Sequence, residues 1–358
     1  MATGRIEVPV APSYPVVVGA GLDLAETLSG VLEPAVCAII TDSNVGPLHA
    51  TSLQRSLESA GWRVADVVEV PAGENSKSLV AYAEVVGRLA RAGVTRDGAL
   101  FALGGGVVGD LGGFVAATFM RGIDLVQLPT SLLAMVDSSV GGKVGVDLPE
   151  GKNLVGSFLQ PRVVVANLDW LVTLPARELS CGLAEVIKMG LLSGGTYFDD
   201  LDRIEAVLAG DFDALRALIL HSVRFKAWIV GEDELEKGRR AILNYGHTIG
   251  HGLEAAADYA LPHGEAVSAG MVAAARLSRE KLGTDLLALH EDLLCSAGLS
   301  LRVPAVDIEK ALSAIGQDKK RRTGTRYRFV LLEDVGKPLW GVPVGEEEAR
   351  RTLKAVVG

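Results

Sequence analysis

Residues 99–114 read ALFALGGGVVGDLGGF, and this stretch decides the fold. Ala99 to Leu103 is a wholly apolar run of strand length; the residues after it are glycine-rich and then helix-like. Gly104, Gly106 and Gly109 form Gly-x-Gly-x-x-Gly at that junction. Two readings are open: such glycines let a pyrophosphate approach N–H groups at a helix N-terminus, or they let a helix pack closely on a sheet. The stretch is not the first strand–helix unit, and the acidic residue about twenty positions on, Asp124, precedes its strand, so the usual ribose contact is lacking. Asp42-Ser43-Asn44 and the run from Pro71 through Glu74 to Lys77 end two earlier strand-like segments. Those are loop positions where α/β sheets hold nucleotides, and they favour a dinucleotide.

Working outward, short β-branched runs recur at Tyr14 to Val18, Ala35 to Thr41, Trp62 to Val70, Leu125 to Leu128 and Val163 to Asn167. Helix-length amphipathic segments separate several of them, such as Ser76 to Ala92, which stops at Gly93. This alternation predicts a parallel sheet covered on both faces, an α/β Rossmann-like nucleotide-binding domain over residues 1–175. After Leu174-Pro175 the period becomes helical, at 177–193, 211–231, 240–258, 264–283 and 285–297. Only Tyr327 to Leu332 and Leu339 to Val344 read as strands, a small ribbon in a mainly α-helical domain over residues 176–358. A cleft between two such domains is the default place for a ligand.

Composition narrows the function classes. The chain has 358 residues and a formal net charge of -9, which argues against nucleic acid as a main partner. Its most apolar stretch, residues 98–120, is interrupted by Asp110 and carries seven glycines, so it reads as a soluble turn and buried helix rather than a membrane span. The first residues carry no apolar signal core, and the expected location is cytoplasmic. Cys37, Cys181 and Cys295 are far apart and without Cys-x-x-Cys spacing, so neither a disulfide framework nor a sulfur-ligated zinc is supported.

Half of the six histidines fall within seventeen residues: His247, His251 and His263. His247 and His251 are spaced i, i+4, on one helix face, and His263 lies just before the next helical run. Three neutral imidazoles, or two and a carboxylate, leave a zinc ion with an open position, as catalytic sites require. Core or cap histidines are the bland alternative, since the His-Glu-x-x-His signature is absent. Glu185 and Lys188 stand i, i+3 on an otherwise apolar helix, either as an intrahelical ion pair or with the carboxylate on a metal. Residues 137–153 combine glycine turns with Lys143, Lys152 and Asn153, a loop able to hold phosphate or carboxylate oxygens. Arg121, Lys226, Arg239, Arg240, Lys319 and Lys320 are further anion binders in prospect.

Taken in order, these strings resemble the 3-dehydroquinate synthase family. The resemblance is carried by GGGVVGDLGGF from Gly104, Arg121-Gly122, QLPTSLL from Gln127, VDSSVGGK from Val136 to Lys143, Gly151-Lys152-Asn153, LAEVIK from Leu183 to Lys188, LNYGHTIGH from Leu243 to His251, HGEAV from His263, and Asp318-Lys319-Lys320. It runs from about Tyr14 to Leu332, most of the chain. It implies a homodimeric phosphate-eliminating carbon–oxygen lyase of the shikimate pathway, which cyclises 3-deoxy-D-arabino-heptulosonate 7-phosphate to 3-dehydroquinate with NAD and a zinc or cobalt ion.

By the same resemblance Glu185, His247 and His263 are the metal ligands, and His251 turns to substrate. Asp137, Lys143, Asn153, Lys188, Lys226, Arg240, Asn244, His251 and Lys319 contact the sugar phosphate, with Arg121 reaching in from the partner subunit. Asp42, Asn44, Glu74, Lys77, Gly105, Gly106, Asp110, Thr130, Ser131, Lys152, Thr173 and Leu174 line the NAD site. Ser131 and Val144 stand where threonines are usual, and Tyr245 where phenylalanine is more frequent. The rival expectations are a related cyclase of the amino-dehydroquinate synthase type and a metal-dependent polyol dehydrogenase.

Overall fold

A computed structural model describes residues 3–317 and 326–358. Its strands are β1 (Gly4–Val8), β2 (Tyr14–Gly19), β3 (Val36–Asp42), β4 (Arg63–Val70), β5 (Ala99–Gly104), β6 (Asp124–Pro129), β7 (Lys143–Leu148), β8 (Gly151–Phe158), β9 (Val163–Asn167), β10 (Arg326–Asp334) and β11 (Lys337–Gly345). The chain divides into two compact units, one of residues 1–175 with 226–235, the other of 176–225 with 236–358.

The first unit is built on a seven-stranded sheet ordered β1-β2-β9-β6-β5-β3-β4. Only the β1–β2 pair is antiparallel. β5 is buried along its whole length, and its alternate side chains serve two cores. Phe101 and Leu103 join Leu57 and Trp62 on one face, with the Trp62 and Phe101 rings edge-to-face at 5.1 Å. Leu100 and Ala102 join Val108, Leu111 and Val115 on the other. Burying each such aliphatic side chain contributes about 1.5–3 kcal/mol, which is why the run is continuously apolar rather than alternating.

The helix Gly106–Thr118 follows β5 directly. A Cβ on Gly104 would meet Val108 at 2.6 Å, and one on Gly112 would meet Ile40 at 2.8 Å, so these glycines serve close packing. Gly105 differs, since its Cβ would meet only Ser131 Oγ, at 3.6 Å. The two readings of the glycine run thus divide between its positions. The loop expected over residues 137–153 instead enters the β7–β8 hairpin, paired Lys143 with Phe158 and Val146 with Val155. Val144 and Val146 are buried in the same core as the helix Gly106–Thr118, so burial of one strand face outweighs the polar turn residues around it.

The second unit is mainly helical. The helices Ala176–Ser193 and His263–Leu282 are buried over most of their length. They approach closely through a small residue, since a Cβ on Gly264 would run into the backbone of Cys181, and residues 247–256 pack on the second helix in the same way, a Cβ on Gly250 meeting Ala266 O at 3.2 Å. The single helix expected over 240–258 is in fact two. Residues Arg239–Asn244 form a 3-10 turn, Gly246 has φ +77°, and a new helix runs His247–Ala256. Gly246 breaks the helix because a left-handed residue cannot continue it, and no Cβ fits there: it would meet Met271 Cγ at 2.8 Å. The β10–β11 ribbon forms where expected. The helices Ile308–Gln317 and Glu346–Lys354 are additions to the elements expected from the sequence. Among the described residues no helix is long and apolar enough to cross a membrane.

Candidate functional site

In the first unit the nucleotide-type residues share one edge of the sheet. Asp42 ends β3, Glu74 and Lys77 follow β4, Gly105 and Gly106 follow β5, Thr130 and Ser131 follow β6, and Thr173 and Leu174 come after β9. All are carboxyl ends of parallel strands. The chain order reverses between β3 and β5, and that crevice is the default ligand position of an open α/β sheet. The helix Gly106–Thr118 opens there with extended Gly105 as its cap and no side-chain cap bond, so its first amides face an approach that lacks side chains.

Several of these residues are tied to one another. Lys77 Nζ lies 2.5 Å from Asp110 Oδ2, and Lys152 Nζ lies 3.2 Å from Glu74 Oε1. Burial raises Asp110 above the usual carboxylate value against the pull of Lys77. Burial also works against the Lys77 ammonium, yet Asp110 and Glu74 hold its pKa above the ordinary lysine value. Asp42 Oδ1 accepts the backbone amides of Asn44 at 2.8 Å and Val45 at 3.0 Å, so one oxygen shapes its own turn. Ser131 Oγ does the same for Ala134 N at 3.2 Å. Thr173 Oγ1 meets His49 Nε2 at 2.9 Å.

Lys226, on the helix Phe212–Glu232, donates to Asp137 Oδ1 at 2.7 Å and to the Asp137 carbonyl at 2.6 Å. Asn153 is exposed with φ +55°, and Lys143 opens β7, also exposed. Arg121 is elsewhere. It follows the helix Gly106–Thr118 and precedes β6, so it lies at the amino edge of the sheet, opposite Gly105. There Met120 and Arg121 take φ +53° and +65°, and Arg96 holds the Met120 carbonyl at 3.1 Å.

In the second unit three side chains converge. Ligand atoms of Glu185, His247 and His263 lie within 4.8 Å of one another. His247 and His263 are each the first residue of a helix, whose positive end disfavours an added proton. Glu185 is fully buried on the helix Ala176–Ser193. His247 Nε2 and His263 Nε2 stand 3.4 and 3.6 Å from Glu185 Oε1, beyond a good hydrogen bond. Lys188 Nζ is 2.5 Å from Oε2, yet neither Glu185 oxygen has a well-directed hydrogen bond.

The electrostatics point the same way. Burial opposes ionisation of Glu185, but Lys188 and the two imidazoles hold its carboxyl well below the usual carboxylate range. Burial, then Lys188, depress His247 well below an ordinary histidine. Burial also opposes the His263 imidazolium, yet Glu254 and Glu185 push its pKa up to about 10. Buried carboxylates draw positive charge to this point, and two imidazoles with an unsatisfied carboxylate are the donor set a zinc-like cation takes. The residues fit a divalent metal.

The spacing alone suggests His251 as a ligand beside His247. Its ring is edge-on to His247 at 5.2 Å, it is exposed, and it groups instead with Glu254 and His263. Arg240 is buried, and Asn244 Nδ2 donates to Glu236 Oε1 at 2.8 Å. Lys319 and Lys320 lie outside the described residues. Glu236, which holds Asn244, and Glu254, which faces His263, are partners of expected site residues that the sequence reading misses. Glu254 carries a usable signal: with His247 and His251 it makes an i, i+4, i+7 face, a carboxylate on an apolar helix just as Glu185 is.

Solved structures define the class. 2-Deoxy-scyllo-inosose synthase, crystallised with carbaglucose-6-phosphate, NAD+ and Co2+, matches with a TM-score of 0.89 at 27% identity, covering 99% of this chain and 100% of that one. 2-Epi-5-epi-valiolone synthase from Streptomyces hygroscopicus subsp. jinggangensis, with NAD+ and Zn2+ bound, matches at 0.86 and 25% identity over 96% of each chain. The fold is that of these synthases, shared more distantly with glycerol dehydrogenase from Schizosaccharomyces pombe (TM-score 0.68, 18% identity, 95% of this chain and 88% of that).

Family models narrow it further: 3-dehydroquinate synthase N-terminal matches residues 67–181 and 3-dehydroquinate synthase C-terminal matches residues 182–321. The chain belongs to the 3-dehydroquinate synthase family. It is 47% identical over 354 residues to the 3-dehydroquinate synthase of Acidithiobacillus ferrooxidans, covering 96% of this chain and 95% of the relative. With the Caulobacter vibrioides enzyme the identity is 45% over 357 residues, again 96% and 95%.

Proposed function

We infer that this chain converts 3-deoxy-D-arabino-heptulosonate 7-phosphate to 3-dehydroquinate and phosphate, as a cytoplasmic homodimer using NAD and a zinc or cobalt ion. The observation that carries this reading is the cluster of buried Glu185 and His247 with part-buried His263, in a chain 45–47% identical to 3-dehydroquinate synthases over nearly its whole length. A polyol dehydrogenase has weaker support, since its likeness is one of fold alone.

Bound at these sites, the metal ion would polarise a substrate hydroxyl and NAD would take and return a hydride. Glu185 and the Nε2 atoms of His247 and His263 would hold the ion, and Lys188 keeps the carboxylate ionised. Asp42, Asn44, Glu74, Lys77, Gly105, Gly106, Asp110, Thr130, Ser131, Lys152, Thr173 and Leu174 would bind the dinucleotide. Their common edge and the open helix end at Gly105 support this. Asp137, Lys143, Asn153, Lys188, Lys226, Arg240, Asn244, His251 and Lys319 are proposed substrate contacts on the strength of the motif match. Lysine and arginine among them suit a departing phosphate, and ring closure then needs mainly orientation of an enolate against a carbonyl. Arg121 would serve the partner subunit, as its place at the opposite sheet edge suggests.

The test is phosphate release from the heptulosonate phosphate with NAD and zinc. Phosphate appears without net NADH absorbance if the reading holds. Stoichiometric NADH accumulation without phosphate makes the chain a dehydrogenase instead.

A further inference from the structure

The two imidazoles that face Glu185 have their remote nitrogens held by different groups. His247 Nδ1 lies 3.0 Å from the carbonyl oxygen of Tyr245. That oxygen only accepts, so the proton is on Nδ1 and the Nε2 lone pair faces Glu185. His263 Nδ1 lies 3.3 Å from Glu254 Oε2, so there a carboxylate accepts the Nδ1 proton and leaves Nε2 as the nitrogen toward Glu185. Glu254 is 2% exposed and stands on the helix His247–Ala256, two turns beyond His247.

We propose that Glu254 is a positioning residue of the metal centre: by accepting the His263 Nδ1–H it fixes the ring with Nε2 toward Glu185 and makes that nitrogen a stronger donor. The inference rests on the metal-binding reading above. It follows from a general property of metal-bound imidazoles, whose second nitrogen is almost always held by a carboxylate, a carbonyl or water. Here the backbone carbonyl holds His247 in any variant, whereas the hold on His263 depends on one side chain. His251, Glu254 and His263 also lie close enough together to suggest a second cation. There His263 Nδ1 already faces Glu254 Oε2, at 3.3 Å.

The test compares the full-length parent with Glu254→Gln, each stripped of metal and titrated with zinc against a chromophoric chelator. Glu254→Gln keeps the shape and removes the charge. Zinc affinity should fall about 10–100-fold, with a changed visible spectrum in the cobalt-loaded protein and an unchanged unfolding midpoint of the zinc-free protein. Equal zinc affinity and an unchanged cobalt spectrum overturn the proposal. So does a zinc-free variant that unfolds or is as destabilised as the loaded one, because Glu254 then serves the core rather than the metal. A parent that binds no zinc sinks the metal reading itself, a result separate from either.

Discussion

The backbone amide of Asn153 donates to Asp147 Oδ1 at 2.7 Å across the turn of the β7–β8 hairpin, while Asn153 itself holds φ +55°. The Asp147 amide donates in turn to the Lys77 carbonyl at 2.8 Å. Asp147 therefore ties the Lys152-Asn153 turn, through its carboxylate, to the segment that carries Lys77, through its backbone amide. Left-handed conformation is unfavourable for a non-glycine residue, so this bond helps keep Asn153 where it is.

Asp147→Ala should loosen that turn, weakening NAD binding and kcat/KM by about fivefold, the equivalent of one hydrogen bond of about 1 kcal/mol. Asp147→Asn keeps the acceptor oxygen and should restore most of the loss. NAD titration by fluorescence and steady-state kinetics measure both; identical behaviour of the two variants would assign the effect to charge rather than to the turn.

Tyr245 donates its hydroxyl to His290 Nε2 at 2.7 Å, and His290 Nδ1 meets the Leu286 carbonyl at 2.7 Å. Both rings are buried. Tyr245→Phe should cost about 1–3 kcal/mol by leaving a buried acceptor unpaired. His290→Leu combined with Tyr245→Phe removes both partners and should recover part of that. Thermal or urea unfolding of the parent, both single variants and the double variant decides it, and additive losses would deny the coupling.

The same histidine sets a pH dependence. Burial lowers its pKa from 6.5 to about 4. The unfolded chain therefore takes up the proton first as pH falls, and stability is lost between pH 6.5 and about 4, by roughly 3 kcal/mol in all. Stability curves of the parent should slope through this window, and those of the double variant should slope less. Parallel curves would show that other groups carry the acid sensitivity.

His263→Ala should lose both zinc and turnover, whereas His251→Ala should keep stoichiometric zinc and lose activity. Metal analysis beside phosphate release separates them. Zinc retained by His263→Ala, or lost from His251→Ala, would reverse the two assignments.

Arg240→Ala should raise the substrate dissociation constant by about 10–100-fold, since hydrogen bonds to charged groups contribute about 1.5–3 kcal/mol. Direct substrate-binding measurements on the metal-loaded protein test it. Unchanged affinity would remove Arg240 from substrate recognition.

Local pattern makes much of this fold legible. β5 and the turn at Gly104 can be read because an apolar run, a glycine cluster and a helical period succeed one another within a few residues. The β7–β8 hairpin cannot, because only Val144 and Val146 mark its buried face among glycines and charges. The break at Gly246 is hidden for a different reason: helical period runs on either side, and the helix is stopped by the close approach of Met271, a distant residue. The site shows the same limit. Spacing places His247 and His251 on one helix face, but the cluster that forms joins His247 to His263 and Glu185, which lie on two other helices. The place of Glu185 on an apolar helix leaves an ion pair and a metal both open, and the resemblance to a known family decides between them. Glu254 bears the same mark of a carboxylate among apolar neighbours, yet its role is invisible in the sequence because its partner His263 belongs to the next helix.

The central claim is that Glu185, His247 and His263 hold the metal. Crystals of the zinc-loaded protein, recorded at the zinc absorption edge, test it directly. The expected result is one anomalous peak at about 2.0–2.2 Å from a Glu185 oxygen and from Nε2 of His247 and His263, with His251 outside bonding distance. A peak bonded to His251, or none at the Glu185 carboxylate, would contradict it.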